Sequence, residues 1–311
     1  LKNLTKKVPF YRRCKLFFSI QLSNSRADST GAYGRKREDG HTRICCRFPC
    51  DDDIGCCTWI RKVLFTSECG KIEKEVVQMR KISVEELNEK LERRKSGERL
   101  NLREVALSGA DLSGYNLDEI DFSMSQFHRV CFDGASLKKS SLENTLFDMC
   151  TFRDASLQEA NLKCAAMRYN DLTGADIRGA NLMCAVLEHA KLDGIIHDGH
   201  TKFFDLYCPE KGAFLGYKKC FNDRLVQLLI PADAKRSSAT MNSCRCSKAK
   251  VLTIKSFDYQ EEYEEAWSLV DENFVYRKGQ WVEVPDFDED RWNDSTTGIH
   301  FWMTREEAMA Y

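Results

Sequence analysis

Nothing in these 311 residues approaches the roughly 20 apolar residues in a row that a membrane-spanning helix needs. The short run at residues 16–20, LFFSI, is too brief for the core of an export signal. Absent as well are a Gly-rich phosphate loop, a nucleophile elbow and an H-E-x-x-H helix, so no catalytic signature leads the way. An excess of either charge is lacking too: 47 basic against 48 acidic residues give a net charge of −1, a balance that names no partner. The basic stretches at Lys235-Arg236 and residues 245–250 have no interleaved aromatic residues, and nucleic acid is not expected as a partner. With 15 cysteines and no export signal, the chain reads as reduced and cytoplasmic.

What is present is a period of five. From Leu102 to Leu192 a large apolar residue returns at every fifth position, nineteen times in register. Two places before each stands a residue that is mostly small, with Ala at 110, 135, 155, 160, 165, 175, 180, 185 and 190. This period fits neither an α-helix near 3.6 nor a flat strand at 2.0. A chain so patterned buries its apolar stripe only by coiling, with successive turns stacked on one another.

The segments GADLSG, EANLKC, GADIRG and GANLMC carry the pattern A-(D/N)-L-x-x, and over about residues 100–194 the chain resembles the pentapeptide-repeat family. The resemblance implies a mainly β fold: a right-handed quadrilateral β-helix with one pentad per face and four per coil. Nearly five coils result, and at about 4.8 Å between strands they make a rod on the order of 25 Å long. Such a rod exposes strand edges at both ends, and natural solenoids cover them.

Both flanks look like covers. Ser83-Val84-Glu85-Glu86 opens a helix with a capping box, and Val84, Leu87 and Leu91 give it one apolar face before Gly97. Residues 79–99 are therefore an N-terminal helical cap. Upstream, residues 1–78 hold seven cysteines, including Cys45-Cys46, Cys50 and Cys56-Cys57, with no helical period and no C-x₂-C pair for zinc. Lys74-Glu75-Val76 can be back-translated as a ribosome-binding sequence placed before Met79. On this reading translation starts at Met79 and the preceding segment is upstream read-through or a disordered arm.

Charge differs around the solenoid. The face bearing Leu112, Phe132, Phe152, Leu172 and Leu192 has Asp111, Asp133, Asp154, Asp171 and Asp193 outward against Arg153 and Lys191. The next face, centred on Leu107, Phe127, Phe147, Met167 and Leu187, shows Ala106, Leu146, Met149, Ala166, Tyr169 and Val186. An apolar strip of this kind marks a contact surface, with Leu146, Met149, Tyr169 and Val186 as the contact candidates. Some pentapeptide-repeat proteins imitate duplex DNA and occupy topoisomerases. Duplex DNA over 25 Å carries about fifteen charges, whereas 14 acidic and nine basic residues in this region net only −5. The Asp column also has a plainer use, since short polar side chains hydrogen-bond tight turns. Cys164 and Cys184, twenty residues apart, stack on adjacent coils and read as two free thiols.

Residues 195–311 read as a small α+β domain. Strands are expected at 225–230, 251–254, 281–284 and 298–303. Helices are expected at 259–271, where Tyr263, Ala266, Trp267 and Val270 share a side, and at 304–311, opened by the capping box Thr304-Arg305-Glu306-Glu307. The phrases IPADAKRSSAT, CRCSKAKVL, VEVPDFDEDRW and STTGIHFWMTREEA resemble the uncharacterised domain that follows pentapeptide repeats in bacterial and phage proteins. Chemistry is thin here. Asp286-x-Asp288-x-Asp290 begins like a calcium loop but has Arg291 where Gly is required. His197, His200, Cys208, Cys220, Cys244 and Cys246 are soft ligands poorly spaced for zinc, so no metal or other cofactor is expected. His300, Arg236, Ser237, Ser238 and Tyr276 could line a polar cleft for an anionic ligand such as a nucleotide. The reading is a non-catalytic interaction scaffold: a rigid β-helical spacer carrying a domain that recognises a protein partner, or a second copy. Its rivals are a ligand-binding or enzymatic C-terminal domain and a DNA-mimicking topoisomerase inhibitor.

Overall fold

Stacking in the repeat region has a step of twenty residues. In the computed structural model, which describes residues 79–95, 97–271 and 273–311, Asn101 pairs in parallel with Asp121, Asp121 with Ser141, Ser141 with Asn161 and Asn161 with Asn181. Four pentads therefore make one coil. The corner after each pentad is built by one residue, two places past the central apolar one, which takes φ between 54° and 71° in every pentad from Glu104 to Gly194. A left-handed residue in third place closes a β-turn, seen in the bonds from the Tyr115 N–H to the Leu112 carbonyl (3.1 Å) and from Ala135 to Phe132 (3.0 Å). Only six of these corners are glycine; the others hold a side chain in a conformation that costs about 1–2 kcal/mol each. The (D/N) residues support the same turns. Asn101 Oδ1 accepts the Arg103 N–H (3.1 Å), Asp111 that of Ser113 (2.9 Å) and Asp121 that of Ser123 (3.0 Å).

Inside, the large and small columns interlock. Leu112, Leu137, Phe152, Leu157 and Ile177 are fully buried, as are Ala135, Ala155 and Ala175. Five phenylalanines fill the middle coils. Phe127 stacks on Phe147 at 5.4 Å and Phe132 on Phe152 at 4.8 Å, and rings of neighbouring faces meet edge-on. At three of the polar small positions the side chain reaches back to a carbonyl of the preceding coil, while Ser140 bonds to Leu137 O of its own coil (2.7 Å). Ser125 donates to Leu102 O (3.2 Å), Thr145 to Phe122 O (2.9 Å) and Asn170 Nδ2 to Phe147 O (3.1 Å). These residues satisfy the rule that a buried polar group be hydrogen-bonded without widening the interior.

The first coil is bordered by strand β1 (Arg80–Lys81), which pairs in parallel with β2 (Val105–Ser108). Helix α1 (Val84–Arg93) follows, with Ser83 Oγ accepting the Glu86 N–H at 3.1 Å. The returning half of the expected capping box is missing, because the Glu86 carboxylate pairs instead with Arg80. Leu87 is buried in the same apolar cluster as the coil interior, with Val84 and Leu91 against it. Strands β3 (Gln126–His128) and β4 (Leu146–Asp148) continue the sheet in the order β1-β2-β3-β4.

The last coil is closed by the chain that follows it. Leu182 donates to Lys202 O (3.1 Å) and Cys184 to Thr240 O (2.9 Å), while Thr240 Oγ1 donates to Ala185 O (2.6 Å). Phe204 joins the solenoid's apolar cluster and lies 5.3 Å from the Trp292 ring.

Beyond it run β5 (Phe214–Cys220), β6 (Arg224–Ile230), β7 (Arg236–Ser238), β8 (Cys244–Cys246), β9 (Lys248–Ser256), β10 (Glu265–Trp267), β11 (Val275–Arg277), β12 (Trp281–Glu283), β13 (Ile299–Phe301) and helix α2 (Arg305–Ala310). They form a four-stranded sheet in the order β12-β9-β6-β5, a three-stranded sheet β13-β8-β7, and the hairpin β10-β11. Among the described residues this region is β-rich, with one short α-helix and a 3-10 turn at Phe221–Asp223. The helix expected at 259–271 is replaced by β10, paired antiparallel with β11. Tyr263 and Trp267 are four residues apart, a spacing that puts them on one side in a helix and in a strand alike. Ala266 decides between the two: it is fully buried while Trp267 is exposed, which is strand alternation. Residues 1–78, with their cysteine clusters, lie outside the described residues.

Candidate functional site

Stacking changes the apolar face. Ala106, Gln126, Leu146, Ala166 and Val186 form one column, coil upon coil. At that spacing neighbours shield each other, so Ala166 is buried and Leu146 and Val186 are only half-exposed. The expected strip of contact residues therefore narrows to two. Met149 and Tyr169, at 59% and 69% exposure, sit at left-handed corners on adjacent coils, where the backbone turns them out of the shielded column. Tyr169 stacks on His189 of the next coil at 4.8 Å. Between corner and column, along the coil axis, run the His128 Nδ1–Asp148 hydrogen bond (2.8 Å) and the Arg168–Glu188 ion pair (2.7 Å).

Three of the five aspartates of the acidic face, Asp111, Asp133 and Asp171, are committed to the coil itself. Asp111 accepts the Ser113 N–H, and Asp133 accepts that of Arg153 at 3.0 Å. Asp171 takes Arg153 Nε at 3.1 Å and Lys191 Nζ at 3.5 Å. Burial raises the Asp171 carboxyl, but hydrogen bonds from Thr173 and Arg153 and the Lys191 charge outweigh it and hold it at about 2. Asp176 is likewise held at about 2, chiefly by Arg178. A DNA-like surface needs phosphate-like charges turned outward; these carboxylates instead brace the coil.

The C-terminal candidates do not assemble into an open cleft. Ser237, Arg245 and His300 are cross-strand partners on β7, β8 and β13, so they form one row on one face of that sheet. All three are buried. The row faces the segment 286–297: Arg245 donates to the carbonyls of Asp288 (3.0 Å), Asp290 (2.9 Å) and Thr297 (2.8 Å), and His300 Nε2 lies 3.3 Å from Asp294 O. Tyr276 is buried, and burial pushes its hydroxyl pKa up. Arg236 directs its guanidinium to five backbone carbonyls, those of Pro209, Gly212, Pro231, Ala232 and Ala234, at 2.9–3.2 Å. Ser238 Oγ accepts the Tyr207 N–H at 2.8 Å. Arg245 and the buried Lys218, which donates to His300 O at 3.1 Å, escape sequence reading because a basic residue in a strand looks solvent-facing.

Cys208, Cys220, Cys244, Cys246 and Cys184 are free and buried, and Cys164 is buried as well. Among the described residues no group of three or more His, Cys, Asp or Glu side chains is placed to hold a metal. Likewise no described helix is long and apolar enough to cross a membrane.

Known families match two stretches of the chain. Pentapeptide repeats, in eight copies, match residues 101–138, 135–169 and 160–196. A family of unknown function, DUF5758, matches residues 204–308. The chain thus carries pentapeptide repeats followed by a DUF5758 domain. Among solved structures, the pentapeptide repeat protein Rfr23 from the cyanobacterium Cyanothece 51142 is 24% identical, with 37% of this chain and 97% of that one covered at a TM-score of 0.25. HetL from Nostoc sp. strain PCC 7120, a pentapeptide repeat protein involved in heterocyst differentiation regulation, is also 24% identical, covering 35% and 48% at 0.22. A pentapeptide repeat protein from the Arabidopsis thaliana thylakoid lumen is 27% identical, covering 34% and 69% at 0.19. No curated protein matches the chain.

Proposed function

We propose that this protein is a non-catalytic interaction scaffold of the cytoplasm. A right-handed quadrilateral β-helix, capped by α1 at one end and by the C-terminal domain at the other, presents the Met149–Tyr169 corners to a protein partner. The observation that carries this reading is the exposure of those two large side chains on a backbone braced every 20 residues. A rigid ladder holds them in place, so binding them loses little conformational entropy. Exposed large side chains beside polar groups such as the Arg168–Glu188 pair are the anatomy of a protein contact. The C-terminal reading of a nucleotide-like ligand finds less support, because Arg236 is saturated by carbonyls and His300, Ser237 and Tyr276 are buried.

The test compares full-length wild type with the double variant Met149→Asp, Tyr169→Asp, each isolated from its native cell under mild conditions. Wild type retains a protein partner or forms a dimer in sedimentation, and the variant loses it at an unchanged melting temperature. Equal association in both would contradict the assignment.

A further inference from the structure

One column of the solenoid alternates in charge. His128, Asp148, Arg168 and Glu188 follow one another at the twenty-residue step, each half-exposed and each just before a left-handed corner. Within the chain they are joined in twos, His128 to Asp148 at 2.8 Å and Arg168 to Glu188 at 2.7 Å. Taken from the other end, the same column runs Glu188, Arg168, Asp148, His128. Laid against itself in reverse it sets an acidic group opposite a basic one at every step, with Asp148 opposite Arg168 twice in the middle and His128 opposite Glu188 at each end. A slip of one coil in either direction would instead set Asp148 against Asp148 or Arg168 against Arg168, and like charges across an interface are costly.

The columns on either side agree with that register. In the column Gln126, Leu146, Ala166 and Val186, the reversal puts the half-exposed Leu146 opposite the buried Ala166, large against small. At the corners Arg129, Met149, Tyr169 and His189 it puts Met149 opposite Tyr169, again twice. These are the most exposed large apolar side chains of the solenoid, and they stand on the two coils that flank the midpoint of the charge pattern. Arg129 comes opposite His189, whose Nε2 lies 3.7 Å from Glu188 Oε1, so an acidic group answers it there as well.

We propose that this face binds a second copy of the chain, with the two coil axes antiparallel about a two-fold that runs along the strands between the coils of Asp148 and Arg168. The inference rests on the reading of Met149 and Tyr169 as a contact, and adds what they bind, in which direction and in which register. The interface is isologous: Met149 meets the partner's Tyr169, and Tyr169 meets the partner's Met149. The apolar corners supply most of the attraction, because exposed ion pairs contribute little each, and the alternating column fixes direction and register.

The experiment is sedimentation velocity of purified full-length protein over a concentration series, followed by mixing of charge-reversed copies. Wild type is expected in monomer–dimer equilibrium. Asp148→Arg sets base against base and Arg168→Glu sets acid against acid, so each variant associates with itself at least about tenfold more weakly than wild type does. Mixed together, the two regain wild-type association, because position 148 of the first then faces position 168 of the second with opposite charge. The double variant Asp148→Arg, Arg168→Glu regains it alone, and circular dichroism confirms that all three are folded. A wild type that stays monomeric up to its solubility limit would overturn the proposal. So would single variants that dimerise as well as wild type, or a mixture and a double variant that both fail to restore the dimer. The contact reading fails separately: a monomeric wild type that still holds another protein, and loses it in Met149→Asp, Tyr169→Asp, overturns the self-pairing and keeps the contact.

Discussion

The two matched regions solve the same problem, filling a narrow β interior, in opposite ways. The solenoid keeps most of its charges on the outside and lets a repeated apolar column do the filling, with Ser125, Ser140, Thr145 and Asn170 as the polar members of its small column. The C-terminal domain buries Arg245, Lys218 and His300 and pairs them with backbone carbonyls. The difference follows from pairing distance. Between Asn101 and Ile196 each strand finds its partner twenty residues away, so one local rule stacks the coils. In the domain, β13 pairs with β8 across more than fifty residues, and long-range polar clamps hold the intervening segment in position.

If that contrast is right, the two regions fail differently. The largest effect is expected for Leu157→Asp, which puts a charge into the fully buried stripe; a loss of about 4 kcal/mol in chemical denaturation is expected, with faster hydrogen exchange in the coils above and below. Arg245→Met leaves the carbonyls of Asp288, Asp290 and Thr297 without their donor. It should cost about 3 kcal/mol and loosen residues 286–297 in hydrogen exchange, while the solenoid amides keep their protection. Asn170→Leu removes the bond to Phe147 O and the acceptor of the Cys150 N–H, for about 2 kcal/mol.

A smaller effect depends on pH. Asp171 has a folded pKa of about 2, below its unfolded value, so its contribution is present above about pH 4 and is lost as pH falls through 2. Asp171→Asn should therefore be less stable than wild type at pH 7, with the gap in urea midpoint closing toward pH 2. The smallest effect on stability belongs to Met149→Asp with Tyr169→Asp, within about 0.5 kcal/mol of wild type, because both side chains stand clear of the core.

Much of this contrast was legible in the sequence, and the reason is periodicity. The register from Leu102 to Leu192 places every interior residue, and the small column is visible beside it. The left-handed corners were not legible, since Glu104, Met124, Arg129 and Tyr169 bear no mark of the conformation they adopt. Face exposure was only partly legible: Ala166 looked outward-facing, and its neighbours on adjacent coils bury it. In the domain, β6 stood out as an apolar run, whereas β7 and β8, RSS and CRC, carry no strand signal and owe their state to their partners. Arg236 looked like a free cation for the same reason. The five carbonyls around it come from loops whose course no local pattern records.

The Met149–Tyr169 corners are the proposed contact on which the scaffold function depends. The most direct measurement places a photo-crosslinking amino acid at Tyr169 in the full-length protein inside its native cell, and at Asp193 on the neighbouring face as the control. A single crosslinked protein species from position 169 and none from position 193 is the predicted result. Crosslinks from both faces alike, or from position 193 alone, would contradict it.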